Sequence, residues 1–141
     1  MTLREQFIKS AMDSCRHFNG IQNGKCLAGV EYLDIPPKTM PCIPRFVNGR
    51  ETWPCEKFEI MSLADAEKEA DERLIKYERG VKARHAAKDD AKAKGFGKGH
   101  GGYGAVPCPG CQGGTLRYSV ASYNGHMHAK CSTAGCVSWM E

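Results

Sequence analysis

The sequence predicts a small α+β protein stapled by metal: an irregular Cys-rich N-terminal unit, a long charged helix and a C-terminal β zinc ribbon. Three observations lead there. Four cysteines stand in two close pairs near the C-terminus, Cys108-Pro-Gly-Cys111 and Cys131-Ser-Thr-Ala-Gly-Cys136, with strand-like sequence in the nineteen residues between them. Residues 62–94 are dominated by Ala, Glu, Lys, Asp and Arg, which, Asp apart, are strong helix formers. Four further cysteines are scattered through the first sixty residues among prolines and glycines. A chain of 141 residues with eight cysteines has room for one ordinary domain or two very small ones, and small units need cross-links.

Residues 1–60 read as the first unit. Thr2-Leu3-Arg4-Glu5 is a capping-box pattern, in which Thr2 caps the amide of Glu5 and Glu5 returns a bond to the Thr2 amide. Leu3, Phe7 and Ala11 then mark one face of a short helix ending near Cys15. Past Gly20 the prolines (Pro36, Pro37, Pro41, Pro44, Pro54) and Asn48-Gly49 leave space for turns and short extended pieces only. Cys15, Cys26, Cys42 and Cys55 are separated by ten, fifteen and twelve residues, without a C-x2-C knuckle. Their spread and their turn-rich flanks admit either a [4Fe–4S] cluster or Zn2+, screened by Phe18, Tyr32, Phe46, Trp53 and Phe58. Unligated core cysteines are the third reading, and His17 is a reserve ligand.

Residues 62–94 form the charged helix, with Ser62 as N-cap; unbroken, it would be about 50 Å long. Its apolar stripe (Leu63, Ala66, Ala70, Leu74, Tyr77, Val81) gives way to alanine alone. The expectation is a packed first half and a solvated, fraying second half. Charge is polarised along it: residues 56–75 carry seven acids and three bases, residues 76–98 eight bases and three acids, an order that also suits the helix dipole. Residues 95–105 (Gly95-Phe-Gly-Lys-Gly-His-Gly-Gly-Tyr-Gly-Ala105) read as a flexible glycine-rich linker.

Residues 106–141 are the predicted zinc ribbon. Zn2+ takes four thiolates in a tetrahedron, and two tight cysteine turns at the ends of a hairpin supply them. Thr115–Ala121 alternates apolar and polar, Asn124-Gly125 marks a turn, and Val137–Trp139 gives a last strand. Four cysteine ligands close the coordination sphere, so such a zinc is structural and leaves no position to activate water. No nucleophile–base pair or phosphate loop stands out, and the adjacent Asp89 and Asp90 point to different helix faces, so an enzyme is not expected.

The closing residues Ser122-Tyr-Asn-Gly-His-Met-His-Ala-Lys-Cys-Ser-Thr-Ala-Gly-Cys-Val-Ser-Trp-Met-Glu141 resemble the C-terminal ribbon of small proteins encoded by bacteriophages and prophages. The stretch Cys15-Arg-His-Phe-Asn-Gly-Ile-Gln-Asn-Gly-Lys-Cys-Leu-Ala-Gly-Val-Glu-Tyr32 is similar to their N-terminal half. The resemblance implies a mobile-element origin and the cytoplasm of a bacterial host cell, and no reaction.

The first fifteen residues lack the apolar stretch of a signal peptide and charges interrupt every apolar run, so a soluble intracellular protein is expected, with no membrane partner. In a reducing compartment eight cysteines favour metal; secretion with four disulfides is the competing reading. Net charge is +4. The basic residues Lys82, Arg84, Lys88, Lys92, Lys94 and Lys98, followed by the aromatics Phe96 and Tyr103 and by Arg117, Tyr123, His126, His128 and Lys130 on the ribbon, point to binding of nucleic acid or a nucleoprotein complex. The alternative is a protein adaptor or inhibitor docking on a host polymerase, nuclease or defence complex through two metal-stapled heads.

Overall fold

The computed structural model describes residues 1–35, 41–43 and 55–141. They fall into two compact units, Met1–Leu74 and Ile75–Glu141. Phe46, Trp53 and the Asn48-Gly49 turn lie outside the described residues.

In the first unit, α1 spans Leu3–Met12 and opens on the expected capping box: the Glu5 amide donates to Thr2 Oγ1 over 3.2 Å and the Thr2 amide to Glu5 Oε2 over 2.5 Å. The long helix α2 spans Leu63–Ala93, with the Asp65 amide on Ser62 Oγ at 3.1 Å. Arg4 on α1 grips Asp71 on α2 through two guanidinium bonds. Between the helices lie two short 3-10 turns, Ile21–Asn23 and Tyr32–Asp34, around a small core of Cys15, Cys26, Tyr32, Ile35 and Cys42.

The second unit is an antiparallel sheet in the order β1 (Gly102–Pro107), β2 (Thr115–Val120), β3 (Met127–Cys131) and β4 (Ser138–Met140), one face of which shares a core with the second half of α2. Leu116, Tyr118, Val120, Met127 and Ala129 point inward and meet Ala83, Ala87 and Ala91 of α2, all buried. Leu116 is the largest fully buried side chain.

Two expectations are corrected here. The second half of α2 does not fray. Its alanines Ala83, Ala87 and Ala91 recur every four residues on one face and are buried in one cluster with the inner side chains of the sheet. The helix ends in a Schellman motif: Gly95 at φ 74 is left-handed, its amide bonds Lys92 O at 3.0 Å, and the Phe96 amide bonds Ala91 O at 2.9 Å. The glycine segment is not a tether either. Residues 102–107 are β1, paired residue for residue with β2, and its glycines make room on the inner face. A Cβ on Gly102 would meet the Phe96 ring, and one on Gly104 would meet the ring and hydroxyl of Tyr118. The ribbon sheet therefore has a helix as its second layer.

Candidate metal centre

Cys108 follows β1, and its amide donates to Gly114 O at 2.9 Å, closing the first cysteine loop. Cys131 ends β3; its amide bonds Val137 O at 2.9 Å, and the Cys136 amide bonds Thr133 O at 3.2 Å, closing the second. The loops bring Cys108 Sγ to 3.7 Å from Cys136 Sγ and Cys111 Sγ to 3.6 Å from Cys131 Sγ. All four sulfurs lie within 4.8 Å of one another. Thiolates at the usual Zn–S distance in a tetrahedron sit about 3.8 Å apart, so the quartet fits a single tetrahedral ion. Gly114 is part of that fit: a Cβ there would fall 2.5 Å from Cys111 Sγ and 2.7 Å from Cys131 Sγ. A metal held here would staple the two loops and leave no open coordination position.

The sulfurs are electrostatically unequal. Burial pushes the Cys108 thiol up, and burial with the neighbouring thiols pushes Cys136 up to about 12. At Cys131, desolvation acts upward, but the Thr133 amide at 3.4 Å and the three neighbouring thiols outweigh it and bring the group down to about 7.

Among the described residues this is the one group of three or more ligand-type side chains drawn so close. Cys15, Cys26 and Cys42 share the buried core of the first unit, with Cys55 half-buried. Burial, then the charges of the other three cysteines, pushes Cys42 up to about 11. His17 Nε2 lies 3.0 Å from Glu59 Oε2, a contact that orients the ring and engages one of its two nitrogens.

The basic residues singled out in the sequence divide into two sets. On the helix, Lys88 pairs with Glu141 at 2.7 Å, Lys94 pairs with Asp90 at 2.8 Å and lies 5.9 Å from the Tyr118 ring centre, and Arg84 sits 5.7 Å over Trp139. Those three have partners on the sheet or the helix, although all six of Lys82, Arg84, Lys88, Lys92, Lys94 and Lys98 are exposed. On the ribbon, Arg117, His128 and Lys130 all point to the outer face. The pairing aligns Tyr103, Ser119, His128 and Met140 in one row and Ala105, Arg117, Lys130 and Ser138 in the next. A shallow depression of about 370 Å³ runs between Tyr103, Arg117, His128 and Lys130. Tyr103 is 86 % exposed, and the four strands contain no Asp or Glu. Tyr123 and His126 are exposed in the β2–β3 turn.

Sequence reasoning names Tyr103 as an aromatic on a linker and misses that it stands on a strand beside Ser119 and Met140, because Gly102–Ala105 reads as linker. The alternation of Tyr103 and Ala105 with glycines is the available signal. Phe96, paired with Tyr103 as a stacking aromatic in that reading, packs against the core instead and stands edge-on to His100.

No helix among the described residues is long and apolar enough to cross a membrane. Searches against family models, curated proteins and solved structures returned no match to this chain.

Proposed function

We propose that the protein binds single-stranded nucleic acid, free or within a nucleoprotein complex, on the outer face of a Zn2+-stapled ribbon sheet. The observation that carries this reading is the two-row face of Tyr103, Arg117, His128 and Lys130 on strands without a single carboxylate. Unpaired bases stack on an exposed tyrosine whatever their identity, while Arg and Lys take the phosphates and release counterions. An open sheet suits a splayed strand better than a duplex, whose bases are already stacked. The zinc of this reading is structural and keeps the β1–β2 and β3–β4 ends together, so the protein acts by binding rather than by chemistry. The resemblance of both chain ends to phage-encoded proteins gives a bacterial cell as the setting.

The test is fluorescence anisotropy of the zinc-loaded chain with labelled single-stranded DNA and RNA across a salt series. Binding should weaken steeply with salt, and Tyr103→Ala and the double variant Arg117→Ala/Lys130→Ala should each weaken it while leaving the fold intact. Binding indifferent to salt, or unchanged in both variants, sinks the reading.

A further inference from the structure

We propose that Cys15, Cys26, Cys42 and Cys55 form a second four-thiolate centre, holding a thiophilic metal as Zn2+ or as an iron–sulfur cluster. This is independent of the sheet face and of the ribbon quartet. The sequence alone, with no two of these cysteines closer than eleven positions, does not bring them together. The backbone does.

Residues 15–17 act as a hub on which the other three cysteine segments converge. The Cys15 amide donates to Cys42 O at 2.8 Å, the Arg16 amide to Glu59 O at 2.8 Å, and the Leu27 amide to His17 O at 2.9 Å. Cys26 precedes Leu27, and Cys55 opens the turn that leads to Glu59. Three of the four cysteines head the same kind of turn, with an amide three residues on returning to the cysteine carbonyl: Phe18 to Cys15 at 3.0 Å, Gly29 to Cys26 at 2.9 Å, and Phe58 to Cys55 at 3.1 Å. Such turns curl the backbone around a sulfur and aim amides at it.

Two of those sulfurs do receive amides. Val30 N–H points to Cys26 Sγ at 3.4 Å and Glu59 N–H to Cys15 Sγ at 3.5 Å. The ribbon quartet has the same contact, Thr133 N–H to Cys131 Sγ at 3.4 Å. A neutral thiol is a weak acceptor; a metal-bound thiolate is a strong one, and such bonds orient and hold metal ligands. Glu59 takes His17 Nε2 at 3.0 Å on one oxygen and Arg16 at 3.0 Å on the other, which fixes the 15–17 hub beside the sulfurs. The need is physical as well. Among the described residues, the core around these cysteines adds Tyr32 and Ile35 as buried side chains, with Phe18, Ala28, Val30 and Ile43 partly buried against them, a small apolar core of the kind that a staple supports.

The test uses the full-length chain purified without air, with metal and sulfide analysis, native mass spectrometry, and thiol alkylation mapped by peptide before and after chelation. Two centres per chain are expected. A colourless protein with two zinc ions, or a brown one with iron and sulfide beside one zinc, each supports the proposal and names the metal. Cys15, Cys26, Cys42 and Cys55 should be protected in the native protein and released by chelator. The variant Cys26→Ser/Cys42→Ser should lose one centre and keep the ribbon's. One metal ion per chain, with these four thiols reacting identically with and without chelator or recovered as disulfides, overturns it, even if the double variant fails to fold.

Discussion

The Tyr118 hydroxyl donates to Asp90 Oδ2 over 2.5 Å, joining the middle of β2 to the last turn of α2. Lys94 holds the same carboxylate at 2.8 Å. Burial, then the Asp90 carboxylate, pushes Tyr118 up to about 12, while Lys94 and the tyrosine hold Asp90 below the usual carboxylate range. An unfolded tyrosine ionises near pH 10. A group with its folded value raised contributes stability that is complete below the unfolded value and is lost as pH rises toward the folded one. We therefore expect the second unit to lose stability between about pH 10 and pH 12, and Tyr118→Phe to lose that component. Asp90→Asn should shift the last tyrosine ionisation downward. Tyrosinate absorbance and melting curves read both; equal alkaline loss in wild type and Tyr118→Phe would count against this account.

Removing metal from the ribbon should undo its ends. Apparent binding free energies of structural zinc in small domains are about 10–16 kcal/mol near neutral pH, comparable to or larger than a small domain's whole stability. Chelation, or Cys131→Ser, should collapse the β signal in circular dichroism and open Cys108, Cys111 and Cys136 to alkylation. Acidification should do the same, because protons compete for the thiolates. A sheet that melts at the same temperature with and without chelator would show that the quartet holds no staple.

The capping box at Thr2 and Glu5, the Ser62 cap, the hairpin of β2 and β3 and the ribbon quartet are all legible in the sequence, since each is written in residues close together along the chain. What the sequence does not disclose depends on long-range fit. Ala83, Ala87 and Ala91 look like a solvated helix face until a sheet is present to bury them. Gly102 and Gly104 look like linker until Phe96 and Tyr118 occupy the space a side chain would take. Small residues carry little hydrophobic signal, and their meaning is supplied by the partner across the interface. The N-terminal cysteines are the same case: their spacing does not bring them together, and the convergence of their segments on residues 15–17 is visible only in the fold.

Two glycine-to-alanine changes should act in opposite directions. Gly104→Ala drives a methyl into the Tyr118 ring and hydroxyl. Overpacking of this kind costs about 1–3 kcal/mol, a fall in melting temperature on the order of 5–20 °C for a unit this small. Gly80 lies in the body of α2 with nothing within 4 Å of an added Cβ. Gly80→Ala should stabilise by roughly 0.5–1 kcal/mol through helix propensity alone. Thermal melts of the two variants decide it; a stable Gly104→Ala would mean that β1 does not pack as described.

The two sets of basic residues should separate by measurement. Lys88 and Lys94 are held in ion pairs with Glu141 and Asp90, and exposed pairs of this type contribute about 0–1 kcal/mol each. Lys88→Ala/Lys94→Ala should lower the melting temperature by a few degrees at most and leave nucleic-acid affinity within about twofold, each degree being worth a fraction of a kcal/mol. Arg117→Ala/Lys130→Ala should do the reverse, with an unchanged melt and weakened binding. On single strands each neutralised phosphate adds about 0.7 to the slope of log K against log salt. The sheet variant should therefore flatten that slope by about 1.4 if both side chains hold phosphates. A slope altered by the helix variant and not by the sheet variant would place the nucleic acid along α2 instead.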